Sequence, residues 1–312
     1  MKKVILLVVV AAVTMMFQVG CSEKSSALKK DEIVNWKQKL LEIRAKTDAE
    51  FKNDTLSPMA GIARLNLKTG KDAFLVPGDN GVEVADKGEN AVLMFSSTDG
   101  KWAWNRLKEN VIVELNGKPV DGAVVEDEMQ FHLGRYTLQA YKARDYLVLL
   151  VFDRERPELK AFQHLRYFDP NPDLVLTAKV ERIEKPDKIT MLTSRNLEKT
   201  YYRYAILHFN VNGEPCRLTA YKMNLKGKYD DELFIPFRDG TSGRESYGAG
   251  RFLELKETPG ETMRLDFNLA FNPLCNYSPA YNCPIPPAEN TLNVPIRAGE
   301  KAYPHEKKDK AK

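Results

Sequence analysis

The loop at residues 237–251 gathers the side chains best suited to chemistry. It carries Arg238, Asp239, Thr241, Ser242, Tyr247 and Arg251 among Gly240, Gly243, Gly248 and Gly250. Glycine exposes backbone N–H groups and permits positive φ, and an arginine fork matches a carboxylate or phosphate. The composition suits a cradle for an anionic or carbohydrate group. It suits equally a long loop closed by its own salt bridges. Asp266 and Asn268 follow. If the flanking strands form a hairpin symmetric about Pro259-Gly260, Arg251 faces Asn268, with Asp266 its diagonal neighbour on the same surface. In that geometry Arg238 and Arg251 would recognise a ligand, Asp266 and Asn268 would orient it, and Tyr247 would stack or donate. The alternative is a hydrolase with Asp266 or Asp239 as general base and Arg251 stabilising developing charge. A third possibility is a purely architectural motif.

The cysteines offer a different chemistry. Cys275 and Cys283 stand eight positions apart in a stretch, 272–287, that holds five prolines. Proline supplies no backbone donor, so this strap is neither helix nor central strand and must be held by side chains. In an exported protein such a pair suggests a disulfide, worth roughly 2–3 kcal/mol across so short a loop. Two free thiols are the other reading. A metal would need more ligands, and His132, His164, His208 and His305 show no zinc-type spacing, with no CxxC in the chain. Cys216, in a strand pattern, reads as an apolar filler. The chain has no GxSxG elbow, Walker loop, HExxH or dinucleotide fingerprint, so neither metal nor cofactor is implied.

The export reading comes from residues 1–20: Lys2 and Lys3, then an apolar run from Val4 to Val13, too short to span a bilayer. The run closes at Val19-Gly20-Cys21. A small residue directly before Cys resembles a bacterial lipoprotein signal, although Gln18 stands where Leu is usual; an ordinary cleaved signal with an incidental Cys is the other reading. Lipidated Cys21 would become the new N-terminus and would anchor the protein to a membrane, with residues 21–30 as a polar tether. Ser22 carries no inner-membrane retention signal. The expected location is therefore the cell envelope, periplasm-facing or at the surface, with the outer membrane preferred. Charge supports no nucleic-acid partner: of 47 basic and 43 acidic residues in 312, residues 21–304 keep 41 of each sign.

Several elements must position these groups. Ile33, Trp36, Leu40, Ile43, Thr47 and Phe51 recur at helical spacing and predict an amphipathic helix over 31–54. From 55 to 155, short alternating runs separated by turns such as Asn116-Gly117 predict a first β-sandwich, and 111–134 look like part of a forkhead-associated scaffold. Residues 156–304 predict a second β domain carrying the Gly-rich and Pro/Cys motifs. His208 lies on the more polar face of one strand there and reads as structural. A charged tail, 305–312, ends the chain. The fold class expected is mainly β: an N-terminal helix followed by two antiparallel sandwich or barrel-like units.

The stretches FIPFRDGTSGRESYGAGRFLEL and LDFNLAFNPLCNYSPAYNCPIPPAENTLNVPIRAGEKAY, with the start LSPMAGIARLNLKTG, resemble the bacterial domain-of-unknown-function 1684 family. The resemblance runs from about residue 33 to 303 and is most specific in the last 70 residues. The family pattern falls on Arg238, Asp239, Thr241, Gly243, Tyr247, Gly250, Arg251, Asp266, Asn268, Asn272, Pro273, Cys275, Cys283, Pro286, Asn290 and Glu300. This adds Asn272 to the candidate ligand-binding residues. The first motif is weakened at 56–65, and a Pro-Gly turn expected near 197–202 is missing. The resemblance implies no established activity. The expectation is a cell-envelope lipoprotein that binds a small anionic molecule or glycan in a C-terminal polar pocket.

Overall fold

The structure, a computed structural model, describes residues 28–304 apart from 79, 80, 144 and 228. The leader, Cys21, most of the tether and the tail at 305–312 lie outside the described residues. Helix α1 (Ile33–Asn53) forms as the apolar spacing predicts and buries Trp36, Leu40, Arg44 and Phe51. Ile43 is corrected: it is 49% exposed. Arg44 takes the inward position instead. Its Nη1 donates to Phe168 O at 3.0 Å, and its guanidinium lies 4.4 Å from the Tyr167 ring centroid.

The rest is mainly β and antiparallel. The first unit contains β1 (Gly61–Lys68), β2 (Ala73–Gly78), β3 (Gly81–Ala85), β4 (Leu93–Thr98), β5 (Lys101–Arg106), β6 (Val113–Leu115), β7 (Lys118–Pro119), β8 (Gly122–Val124), β9 (Gln130–Leu133), β10 (Tyr136–Lys142) and β11 (Tyr146–Asp153). They form a six-stranded sheet, β1-β11-β10-β9-β6-β7, and a five-stranded one, β3-β2-β4-β5-β8. Leu75, Phe95, Trp104, Phe131 and Leu149 share the core of this unit, with Trp104 stacked on Phe131 at 5.3 Å. Strand β11 shows why its sequence is apolar without alternation. Leu147, Leu149 and Val151 join that core, while Val148, Leu150 and Phe152 face a second cluster with Phe51, Met59 and Tyr277.

A short helix, α2 (Pro157–Ala161), leads to the second unit. There β12 (Val175–Arg182), β13 (Lys188–Leu192), β14 (Glu198–Val211), β15 (Glu214–Lys222), β16 (Glu232–Phe237), β17 (Arg251–Lys256) and β18 (Thr262–Asp266) form one curled sheet. Its order is β17-β16-β15-β14-β12-β18, with β13 on β14. The expected hairpin is therefore corrected. Strands β17 and β18 do not pair; they are opposite ends of the sheet, Arg251 opposite Phe237 and Asp266 opposite Val175. The intervening loop is claimed by Arg182, which donates to Thr258 O at 2.9 Å and Gly260 O at 2.6 Å. A Pro-Gly type II turn also matches strand twist poorly.

The chain after β18 closes the open side. Phe252 and Phe271 exchange backbone hydrogen bonds at 2.8 and 3.0 Å. Residues 290–301 then run as a belt: Leu292 N–H donates to Arg238 O, Gly240 N–H to Val294 O and Glu300 N–H to Ala270 O. Leu292, Ile296 and Ala298 complete the core around Phe209, Phe237 and Phe267. Gly299 is required in this belt, because a Cβ there would sit 2.4 Å from Ala270 O.

Candidate functional site

The expected ligand cradle folds into three separate clusters. In the first, β16 and β17 carry the two ends of loop 238–250 side by side. Gly250, at φ +103, brings this loop back so closely that a Cβ would stand 2.5 Å from Phe237 O. Arg251 is fully buried. Its guanidinium donates to Asp239 Oδ1 at 3.3 Å, Ile296 O at 2.7 Å and Glu300 O at 3.2 Å, and also to Ala298 O. The Asp239 carboxylate accepts from Thr241 Oγ1 at 2.9 Å, Ser242 Oγ at 3.2 Å and Ile296 N–H at 2.7 Å. Phe168 and Phe237 cover the guanidinium, which lies 5.6 and 5.4 Å from their ring centroids. Burial lowers the pKa of Arg251, and the neighbouring Asp239 pulls it back up. This is a sealed ion pair that fastens the C-terminal belt to the sheet. Arg238, exposed at the rim, donates to Gly248 O at 2.9 Å.

The second cluster lies at the far edge of the sheet. Asp266 Oδ2 accepts from Trp36 Nε1 at 2.8 Å and Arg264 Nη2 at 3.2 Å. Its Oδ1 accepts from the N–H and the side-chain amide of Asn268, both at 3.0 Å. Asn268 in turn clasps the Asn171 backbone, both donating and accepting at 2.8 Å. Asp266 and Arg251 therefore share no surface, and the constellation expected from the hairpin does not form. Asp239 is sealed and Asp266 already accepts four hydrogen bonds, so neither carboxylate is placed to act as a general base.

Asn272 belongs to a third, buried network. Its N–H donates to Glu300 Oε2 at 2.8 Å, which also accepts from Tyr277 Oη at 2.7 Å. Burial raises the Glu300 carboxyl to about 7, against the lowering pull of these donors and Arg251. Tyr247 is half-buried and reaches the Cys275 sulfur. Cys275 and Cys283, the disulfide candidates, come together as a pair and stand here as free thiols, with the Cys275 N–H donating to Cys283 Sγ at 3.2 Å.

The open space is elsewhere. A groove of about 630 Å³ runs between α1 and β18, lined by Asp31, Glu32, Asn35, Trp36, Lys39, Arg264 and Asp266 among others. Reading the sequence placed Trp36 on an apolar stripe and missed its indole N–H as the partner of Asp266. The apolar spacing reveals only the face of the ring, whereas the partner lies 230 positions away. Glu300 and Asn290 were visible only through the family pattern.

Fold and site define a class: a mainly β protein of two sheet-rich units, in which a polar loop motif locks a C-terminal belt to the sheet. The chain belongs to the family described as "Protein of unknown function (DUF1684)", whose model matches residues 160–301, within the second unit. It is 38% identical to an uncharacterised protein of Haloarcula marismortui with a solution NMR structure, over 48% of this chain and 82% of that one, at a TM-score of 0.40. No curated protein matches the chain.

Proposed function

We propose that this is a cell-envelope lipoprotein, held to a membrane by acyl chains on Cys21, that binds a carbohydrate in the groove between α1 and β18. The observation that carries the reading is the groove itself, with the edge of an indole in its wall and polar side chains on both banks. Asp31, Glu32 and Asp266 outnumber Lys39 and Arg264 there, which disfavours the anionic ligand considered from sequence and favours a neutral polyol. Carboxylate, amide and cationic groups around an aromatic wall offer hydroxyl groups both donors and acceptors. The anchor reading draws support from α1, where Val34 and Leu41 are 76% and 47% exposed on a stripe with Ala45. That stripe begins shortly after Cys21 and would rest at a bilayer surface.

The test is a thermal-shift titration of the purified protein with N-acetylglucosamine oligomers, alongside Asn35→Trp to fill the groove. A saturable rise in Tm that disappears in the variant is expected, since a ligand bound only to the native state stabilises it by mass action. A flat response at millimolar sugar would refute the groove reading. Separately, Cys21→Ser should move the protein from the membrane to the soluble fraction. Continued sedimentation with membranes would refute the anchor.

A further inference from the structure

Cys275 and Cys283 take no part in the groove or in the ion-paired clusters. Cys275, on the 3-10 turn Leu274–Asn276, is partly exposed, and Cys283 behind it is buried. The Cys275 N–H donates to Cys283 Sγ at 3.2 Å, which holds the two thiols side by side. Ser194, just beyond β13, fixes the second sulfur's backbone from both directions: Cys283 N–H donates to Ser194 Oγ at 3.3 Å, and Ser194 N–H to Cys283 O at 2.9 Å. The Ile285 N–H to Leu192 O bond, 2.8 Å, ties the proline strap to the same strand edge. The hydroxyls of Ser194 and Tyr247 lie near enough to the Cys275 thiol to favour its charged form. One cysteine is thus partly exposed, and a second is buried behind it on a strap tied to the strand edge.

We infer that Cys275 and Cys283 form a dithiol exchange site that reduces a low-molecular-weight disulfide, with Cys275 attacking and Cys283 resolving. The Cys275 thiolate attacks one sulfur of the substrate RS–SR. A Cys275–S–R bond forms, the substrate S–S bond breaks, and RS⁻ leaves to take a proton from water. Cys283 then gives its proton to solvent and attacks Cys275 Sγ, forming the Cys275–Cys283 disulfide and releasing the second RS⁻. Two protein thiols are oxidised by two electrons, and the substrate disulfide is reduced to two thiols.

The electrostatics order these steps. The hydrogen bond from Cys283, joined by those from Ser194 and Tyr247, holds Cys275 at about 7, near the value at which thiolate fraction and nucleophilicity are best balanced. The same contact pushes the Cys283 thiol up, so it stays protonated while Cys275 is the thiolate. Once Cys275 is tied up in the mixed disulfide, the thiolate that held the Cys283 proton is gone, and Cys283 can lose that proton and react.

The test uses the full chain with Cys21→Ser and Cys216→Ser, so that the pair supplies all of its thiols, and 4,4′-dithiodipyridine as probe. Two thiopyridone molecules should be released per chain, leaving an internal disulfide with no pyridyl adduct by mass. Adding Cys283→Ser should arrest the reaction at one release with a stable Cys275 adduct. Adding Cys275→Ser should slow release at least about tenfold. Tyr247→Phe keeps both sulfurs and removes one donor, so the midpoint of the rate–pH profile should move upward while Tm holds; this also serves if a cysteine variant folds poorly. Two pyridyl adducts on one chain, a Cys275 no faster than Cys283, or an unmoved profile in Tyr247→Phe would each overturn the assignment.

Discussion

Arg251 concentrates the energetics of the second unit in one side chain. It is fully buried, opposite a buried carboxylate, with three belt carbonyls as acceptors. Arg251→Ala should therefore lower unfolding free energy by about 3–5 kcal/mol in urea melts, because it strands Asp239 as an uncompensated charge. Asp239→Asn added to Arg251→Ala should cost less than the sum of the single changes; strict additivity would show that the pair does not act as a unit. Glu300 gives a pH signature. Its carboxyl is raised from 4.5 to about 7, so the folded protein keeps a proton that the unfolded chain has already lost. Stability from this group is full below about pH 4.5 and is lost as pH rises through about 7, a change on the order of 3 kcal/mol. Glu300→Gln should flatten that slope in denaturation curves taken between pH 4.5 and 7. At this scale the sequence was readable in kind. It flagged Arg251, Asp239, Thr241 and Ser242 as one polar group, and they are one. It could not say whether their lone pairs face water, since a cradle and a sealed ion pair use the same residue types.

Helix α1 was legible because apolar spacing is local, and so were the strands, whose alternation is written in neighbouring residues. Pairing was not. The hairpin about Pro259-Gly260 fails because β17 and β18 each find a distant partner, and nothing in their own alternation names it. The cost of reading only locally shows again at Trp36. Its indole N–H ties the helix to the Asp266 carboxylate at 2.8 Å. Trp36→Phe keeps the ring's bulk and leaves Asp266 short of one donor. It should destabilise the protein by about 1–3 kcal/mol in chemical denaturation. Amide exchange along α1 should quicken as well; a helix unmoved in exchange would mean that its apolar contacts alone hold it in place.

The two units are joined through Arg156, which donates to Met59 O at 3.0 Å and Gly61 O at 2.7 Å in the first and reaches Tyr277 O at 3.4 Å in the second. The aromatic cluster of Phe51, Phe162 and Tyr277 fills the space beside it. Calorimetry on the intact chain should therefore show one transition. Arg156→Ala should lower its midpoint and broaden it or split it in two, as the seam weakens before either core. A single transition of unchanged width would mean that the apolar cluster suffices to couple the halves.

The belt at 290–301 sets an order in time. The carbonyls of Ile296, Ala298 and Glu300 that receive Arg251, and the N–H of Ile296 that Asp239 needs, all follow the last described strand in the sequence, some 45 positions after Arg251 itself. Until they emerge, a charged arginine already present has nowhere to settle, and the sheet that carries it must stay ajar while synthesis continues. A chain cut just before Leu292 would keep every described strand, the last of which ends at Asp266, and would lose the groups that latch them.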